Sequence, residues 1–208
     1  MKLGQLCNLN QALRILMIED SITYARLVTA QLGASFPIPH TLDHCDSLEL
    51  ALSEIESRIH ELIILDLELP DSNGLATFRA VHHAAPDTPI VILSGDNSED
   101  RAIEAVREGA DDYLVKGSND RLTLIRSLRL ALERRRRLSA ERELGAARVI
   151  QQALLPNSDP QIDGFDMAGA MYPAVETAGD YYDFIMPMPT EGDGTEVGIV
   201  VADVSGHG

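Results

Sequence analysis

The sequence predicts an α/β protein: a five-stranded, doubly wound parallel sheet, then one long helix, then an incomplete β-rich α+β segment. Three observations carry this reading. Short apolar runs and amphipathic helical stretches alternate through the first 120 or so residues. The central runs, LIIL at 62–65 and PIVIL at 89–93, are continuously apolar, as strands covered on both faces of a parallel sheet are. After Pro156 the pattern changes to short strand-like segments separated by turn residues.

The elements follow in order. RILMI at 14–18 is the first strand and runs into Glu19 and Asp20. A helical pattern opens at Ser21, with Ile22, Ala25, Leu27, Val28 and Leu32 on its apolar side, and Gly33 is expected to end it. PHTLDHCDS is a weakly apolar second strand. In the next helix Leu48, Ala51, Leu52, Ile55 and Ile59 are expected to share a face. The third strand, 62–65, delivers Asp66. Residues 75–84 are helical, and the fourth strand ends at Ser94. SEDRAIEAVREGA is a helix closed by Gly109, and DDYLVKG is the fifth strand, carrying Lys116. A long helix starts near Asp120 and meets no proline before Pro156. Its heptad seam (Leu124, Ala131, Leu138, Gly145 and Gln152, with Leu128, Arg135, Arg142 and Val149) is broken in the middle. That supports a helical connector able to self-associate and does not support a regular coiled coil. The run ERRRR is expected to be a solvated helix face. Beyond it, GFDMAGAMY, DYYDFIMPM and EVGIVVADV are expected strands, with a hairpin turn at TEGDG.

Composition narrows the function. The 208 residues are 45% hydrophobic, enough for a packed core, with 4% aromatics and no Trp. The net charge of −16 argues against nucleic acid as the main partner and favours cations or a basic protein. The charge falls in three blocks: −12 over 1–120, +6 over 121–153 and −10 over 154–208, where there is no Lys or Arg. Cys7 and Cys45 form no disulfide framework, which suits a reducing cytoplasm. No leader pattern and no apolar stretch of transmembrane length is present, so a cytoplasmic protein without a membrane span is expected.

In an open α/β sheet the ligand sits at the carboxyl ends of the strands. Glu19, Asp20, Asp66, Ser94 and Lys116 all fall there. Three acids at one rim repel one another unless a cation intervenes, and an all-oxygen donor set suits Mg²⁺. Lys116 and the Ser94 hydroxyl suit a phosphoryl group. Together they indicate phosphoryl transfer onto a carboxylate. A free-standing nucleotide-dependent enzyme is disfavoured, because no G-x-x-x-x-G-K loop is present.

The motifs LMIEDS, IILDLELPDSNGL, PIVILSGD and EGADDYLVKG, over residues 12–130, resemble the flavodoxin-like receiver domain of two-component response regulators. The resemblance implies that Asp66 is the phospho-acceptor and that Glu19, Asp20, Asp66 and the backbone carbonyl of Glu68 hold Mg²⁺. It implies further that Ser94 and Lys116 meet the phosphoryl group and that Tyr113 is the rotating aromatic switch. Two departures stand out: Glu19 replaces the Asp of many relatives, and Gly117 follows the lysine where Pro is frequent.

RELGAARVIQQALLP, MYPAVETAGDYYDF and VADVSGHG, over about 141–208, resemble the opening of RsbU/SpoIIE-like, metal-dependent (PPM-type) serine/threonine phosphatases. That resemblance implies Asp180, Asp203 and the carbonyl of Val204 as ligands of two Mn²⁺ or Mg²⁺ ions, with Asp183 a weaker candidate and His207 a loop-shaping residue. The expected organisation is a receiver over 12–130, a helical linker over 131–153 and an N-terminal phosphatase fragment over 154–208. Further metal aspartates are expected beyond Gly208, so these 208 residues alone are expected to be inactive as a phosphatase. The implied partners are a sensor histidine kinase or phosphotransfer protein, a phosphoserine or phosphothreonine substrate such as an anti-sigma-factor antagonist, and a second copy through the linker helix. The competing reading is a phospho-gated adaptor that acts by binding, with a catalytically inactive tail.

Overall fold

The computed structural model describes residues 12–117, 120–162, 164–171, 180–185 and 197–203. Expectations on Cys7, the 190–194 turn, Val204 and His207 lie outside the described residues. The strands and helices run in order as β1 (Leu13–Ile18), α1 (Ile22–Ser35), β2 (His40–Cys45), α2 (Leu48–Ser57), β3 (Leu62–Leu65), the short pair β4 (Glu68–Leu69) and β5 (Ser72–Asn73), α3 (Leu75–Ala84), β6 (Ile90–Ser94), α4 (Glu99–Arg107), β7 (Asp112–Val115), α5 (Arg121–Leu154), β8 (Asp180–Ile185) and β9 (Gly198–Asp203).

Five strands form one parallel sheet in the order β2-β1-β3-β6-β7. This is the doubly wound order of flavodoxin-like folds, with its crevice above the carboxyl ends of β1 and β3. The alternation of side chains along β1 divides the core. Ile15 and Met17 pack with Val28 and Leu32 of α1 and with Leu124 and Leu128 of α5. Leu16 and Ile18 face the other way and pack with Phe78 and Val81 of α3 and Ala105 of α4. With both faces covered, β3 and β6 are buried at every position, which is why they read as unbroken apolar runs.

Local chemistry sets the helix ends. Ser21 accepts from the Tyr24 amide and Ser98 from the Arg101 amide, capping α1 and α4. Helix α1 does not stop at Gly33. It continues to Ser35 and is ended by Pro37, which forces Phe36 into an extended conformation. Helix α2 stops at Ser57, so Ile59 is not on its apolar face and is 76% exposed. Gly109 closes α4 at φ +110°, a region closed to most side chains.

Helix α5 runs unbroken for 34 residues from its Asp120 cap, whose carboxylate accepts from the Thr123 amide. Its buried residues stop at Leu132. The chain forms two compact units, one up to Arg136 and one from Arg137 onward. The arginine run is not uniformly solvated. Arg135 donates to the Pro86 carbonyl and the Asp87 carboxylate, whereas Arg137 pairs with Glu141 along the exposed helix.

In the second unit β8 and β9 pair antiparallel, Asp180 opposite Asp203 through Ile185 opposite Gly198. The expected strand within GFDMAGAMY is not formed: among its described residues the backbone makes only an isolated bridge, Ile162 to Phe165. Glycines at 164 and 169 weaken a strand there, and Gly169 serves a packing role instead. The Tyr182 hydroxyl donates to the Gly169 carbonyl at 2.9 Å, and a Cβ on Gly169 would lie 2.2 Å from the Tyr182 ring. No helix among the described residues is long and apolar enough to cross a membrane.

Candidate functional site

The parallel ladder extends one residue past the strand ends and fixes the acidic positions. The Glu19 amide donates to Cys45 and the Asp66 amide to Ile18, so both side chains leave the sheet at its carboxyl rim. One oxygen each from Glu19, Asp20 and Asp66 can be chosen within 4.8 Å of one another. Glu19 and Asp66 are almost fully buried, at 1% and 4% exposure, while Asp20 faces solvent. Two buried carboxylates are tolerated because Lys116 reaches both. Its Nζ lies 2.6 Å from Asp66 Oδ2 and 2.6 Å from Glu19 Oε2. The Lys116 amide donates to the Ser94 carbonyl, continuing the β6–β7 ladder and aiming the lysine at the rim.

The charges respond to this setting. Burial pushes the Glu19 carboxyl above its ordinary range, more than the Lys116 ammonium beside it pulls it down. For Lys116 burial acts downward, but the hydrogen bonds to Asp66 and Glu19 outweigh it and hold the ammonium above its ordinary value.

The remaining groups close the rim. Ser94 is fully buried at the end of β6, and its hydroxyl accepts from the Asp96 amide at 3.2 Å. The Glu68 amide donates to Asp66 Oδ1 at 3.2 Å, so the chain after the acid curls back over it. Tyr113 is half-buried in β7, and its hydroxyl donates to the Asp96 carbonyl at 3.0 Å. Glu19, Asp20, Asp66 and Lys116 are therefore gathered at one rim. Glu68 adjoins Asp66, and Ser94 and Tyr113 meet at the loop that carries Asp96.

Three participants escape sequence reading. The Tyr24 ring lies under the Lys116 ammonium, 4.7 Å from the ring centroid. Its signal was its place in the first turn of α1, just after Asp20. His44 donates from Nε2 to the Glu19 carbonyl at 2.7 Å. Asp71 accepts from the Leu48 and Glu49 amides at 2.9 Å each and caps α2 from the loop after Asp66, where Ser47 makes no side-chain cap. In sequence it is only one turn residue of PDSNG.

In the second unit Asp180 and Asp203 are cross-strand partners and so share a face of the hairpin. Asp183, three residues along β8, faces the opposite side and accepts from the Tyr181 hydroxyl. The structure does not bring it to the other two.

The comparisons with known proteins agree with the first unit. Regulatory protein LuxO of Vibrio cholerae is 37% identical over 100 residues, covering 48% of this chain and 21% of LuxO. The cell cycle transcriptional regulator CtrA of Caulobacter vibrioides is 35% identical over 104 residues, covering 50% of this chain and 44% of CtrA. The chain thus spans less than half the length of either. The receiver domain of an HD domain-containing protein from Pseudomonas fluorescens superposes with a TM-score of 0.54 at 28% identity, covering 61% of this chain and 98% of that one. NtrX from Brucella abortus does so at 0.55 and 27%, covering 66% of this chain and 30% of that one. Residues 15–128 match the response regulator receiver domain, more than half of the chain. With the sheet order and the acidic rim pointing the same way, the chain belongs to the response regulator receiver family.

Proposed function

We propose that Asp66 accepts a phosphoryl group from a sensor histidine kinase or phosphotransfer protein, and that the modified receiver controls a metal-dependent serine/threonine phosphatase output. The observation that carries the first part is the Lys116 ammonium held between two buried carboxylates beside the exposed Asp20. An oxygen of Asp66 attacks phosphorus as the P–N bond to the donor histidine breaks, and the leaving imidazole keeps the electron pair and takes a proton. Lys116 and the Glu68 amide fix the attacking carboxylate from two sides. The donor set of Glu19, Asp20, Asp66 and the Glu68 carbonyl fits Mg²⁺, which when bound supplies charge neutralisation at the phosphoryl oxygens. The Ser94 hydroxyl then turns from Asp96 to the phosphoryl group, freeing the loop against which Tyr113 rests.

For the output, support comes from the pairing of Asp180 with Asp203. Like charges directly opposite are destabilising in a bare hairpin, and no Lys or Arg occurs from 154 onward to offset them. A pair of divalent ions resolves that conflict and is the device by which such phosphatases activate water. With the Val204 carbonyl these groups make part of a two-ion site for Mn²⁺ or Mg²⁺, acting on a phosphorylated protein such as an anti-sigma-factor antagonist. The LuxO and CtrA likenesses do not decide the output, since they span only 21% and 44% of those proteins. We assign the chain to the cytoplasm on the same reading, with the receiver over 12–130, linker over 131–153 and phosphatase portion from 154. The adaptor reading draws on Leu138, Val149, Ile150 and Leu154, which are exposed along α5 and could join two copies.

Incubation with a small phosphodonor and Mg²⁺, followed by mass spectrometry, tests the receiver: one adduct is expected in the native chain and none in Asp66→Asn. Label retained by Asp66→Asn would refute it. For the output, Mn²⁺-dependent phosphate release from a phosphoserine protein is expected from a chain that carries the complete phosphatase domain and not from these 208 residues alone, and Asp203→Asn should abolish it. Phosphorylation-driven dimerisation with no release even from the chain carrying the complete domain would establish the adaptor instead.

A further inference from the structure

A second group of titratable side chains converges away from the phosphorylation rim. His60 precedes β3, where Asp66 follows it. Its side chain is 2% exposed, and its Nε2 lies 3.1 Å from Asp43 Oδ2 and 4.0 Å from Glu54 Oε1. Asp43 comes from the edge strand β2 and Glu54 from the last turn of α2. One ligand atom from each can be taken with all three within 4.8 Å of one another. Glu54 Oε1 is shielded from solvent with no hydrogen-bond partner among the described residues. Among the described residues its basic side-chain neighbours are His60 and Arg58, whose Nε stands at 3.5 Å on a side chain 55% exposed.

We propose that Asp43, Glu54 and His60 form a transition-metal site that takes Zn²⁺ through the His60 Nε2 and one oxygen of each carboxylate. Zinc bonds of about 2.0–2.2 Å place tetrahedral ligand atoms roughly 3.4 Å apart. The observed separations of 3.1 and 4.0 Å straddle that value, the third lies within 4.8 Å, and the ion takes the place of the present hydrogen bond between His60 Nε2 and Asp43 Oδ2. The imidazole selects Zn²⁺ over Mg²⁺, which prefers all-oxygen sites and keeps its water. The ion gives Glu54 Oε1 its missing partner, water completes the coordination, and Arg58 swings into solvent. His60 already bridges Asp43 of β2 and Glu54 of α2, and Zn²⁺, by replacing those contacts with coordinate bonds, stabilises the edge of the sheet further.

The test is calorimetric titration of Zn²⁺ into the full 208-residue chain with Mg²⁺ in large excess, which occupies the all-oxygen rim. One equivalent is expected to bind. Its affinity should fall at least tenfold in Glu54→Gln and in His60→Gln and stay unchanged in Asp20→Asn. X-ray absorption of the zinc complex should show one imidazole and otherwise oxygen ligands. If His60→Gln fails to fold, the partly exposed Glu54→Gln decides alone. Absence of Zn²⁺ binding under Mg²⁺, or binding by a folded Glu54→Gln as tight as the native chain, overturns the site.

Discussion

The two carboxylate groups of this chain present opposite electrostatic problems. At the parallel rim, Glu19 and Asp66 are buried, and a single ammonium joins them. On the β8–β9 hairpin, Asp180 and Asp203 are exposed and directly opposed in a region without Lys or Arg. The rim carries its counter-charge in its own sequence, as Lys116. The hairpin has no such counter-charge in its own sequence from residue 154 onward. Removing one charge should therefore damage the first unit and relieve the second.

The largest effect is expected from Lys116→Met. It leaves two carboxylates buried without compensation, which costs about 3–5 kcal/mol. Urea unfolding without divalent ions should show the loss, and Mg²⁺ should recover most of it. Gly169→Ala comes next, because the new Cβ must displace the Tyr182 ring. Overpacking of this kind costs about 1–3 kcal/mol. Hydrogen exchange should rise in β8 and β9 and stay unchanged in β1 and β3. Asp203→Asn should do the reverse in the hairpin, slowing its exchange through a gain of roughly 0.2–1 kcal/mol. A loss of hairpin protection would contradict the contrast.

The smallest effect is a pH dependence. The Leu48 amide first, then the Glu49 amide, hold the Asp71 carboxyl below its ordinary value of 3.8. A depressed acid contributes stability that is present above its unfolded value and lost as pH falls through the folded one. Asp71→Ala should therefore lower the melting temperature at neutral pH. The difference from the native chain should vanish in acid below the folded value.

The first unit was legible in the sequence for a physical reason. A parallel sheet covered on both faces needs unbroken apolar strands, and its functional groups must stand where those strands end. Asp66 and Lys116 were therefore readable from LIIL and from DYLV. What escaped depends on distant contacts. Gly33 suggested a helix end that Pro37 supplies two residues later, and Ile59 followed the helical period after the helix had stopped. Tyr24 and His44 act through the rim's tertiary geometry, which periodicity does not encode. In the second unit the turn residues around DYYDFI pointed to a strand, but its facing became clear only from the register that separates Asp183 from Asp180.

The Asp71 cap makes the loop after Asp66 a ruler. The carboxylate that closes the first turn of α2 is offered from 23 residues further along the chain, so the span from Asp66 to Asp71 has to be the right length to reach it. An insertion there would uncap a helix that the altered segment does not belong to. The amides of Leu48 and Glu49 should then exchange in step with the 66–74 loop and not with the far end of their own helix. Spacing between these two aspartates is thus a heritable dimension of the protein, constrained by a helix that precedes both.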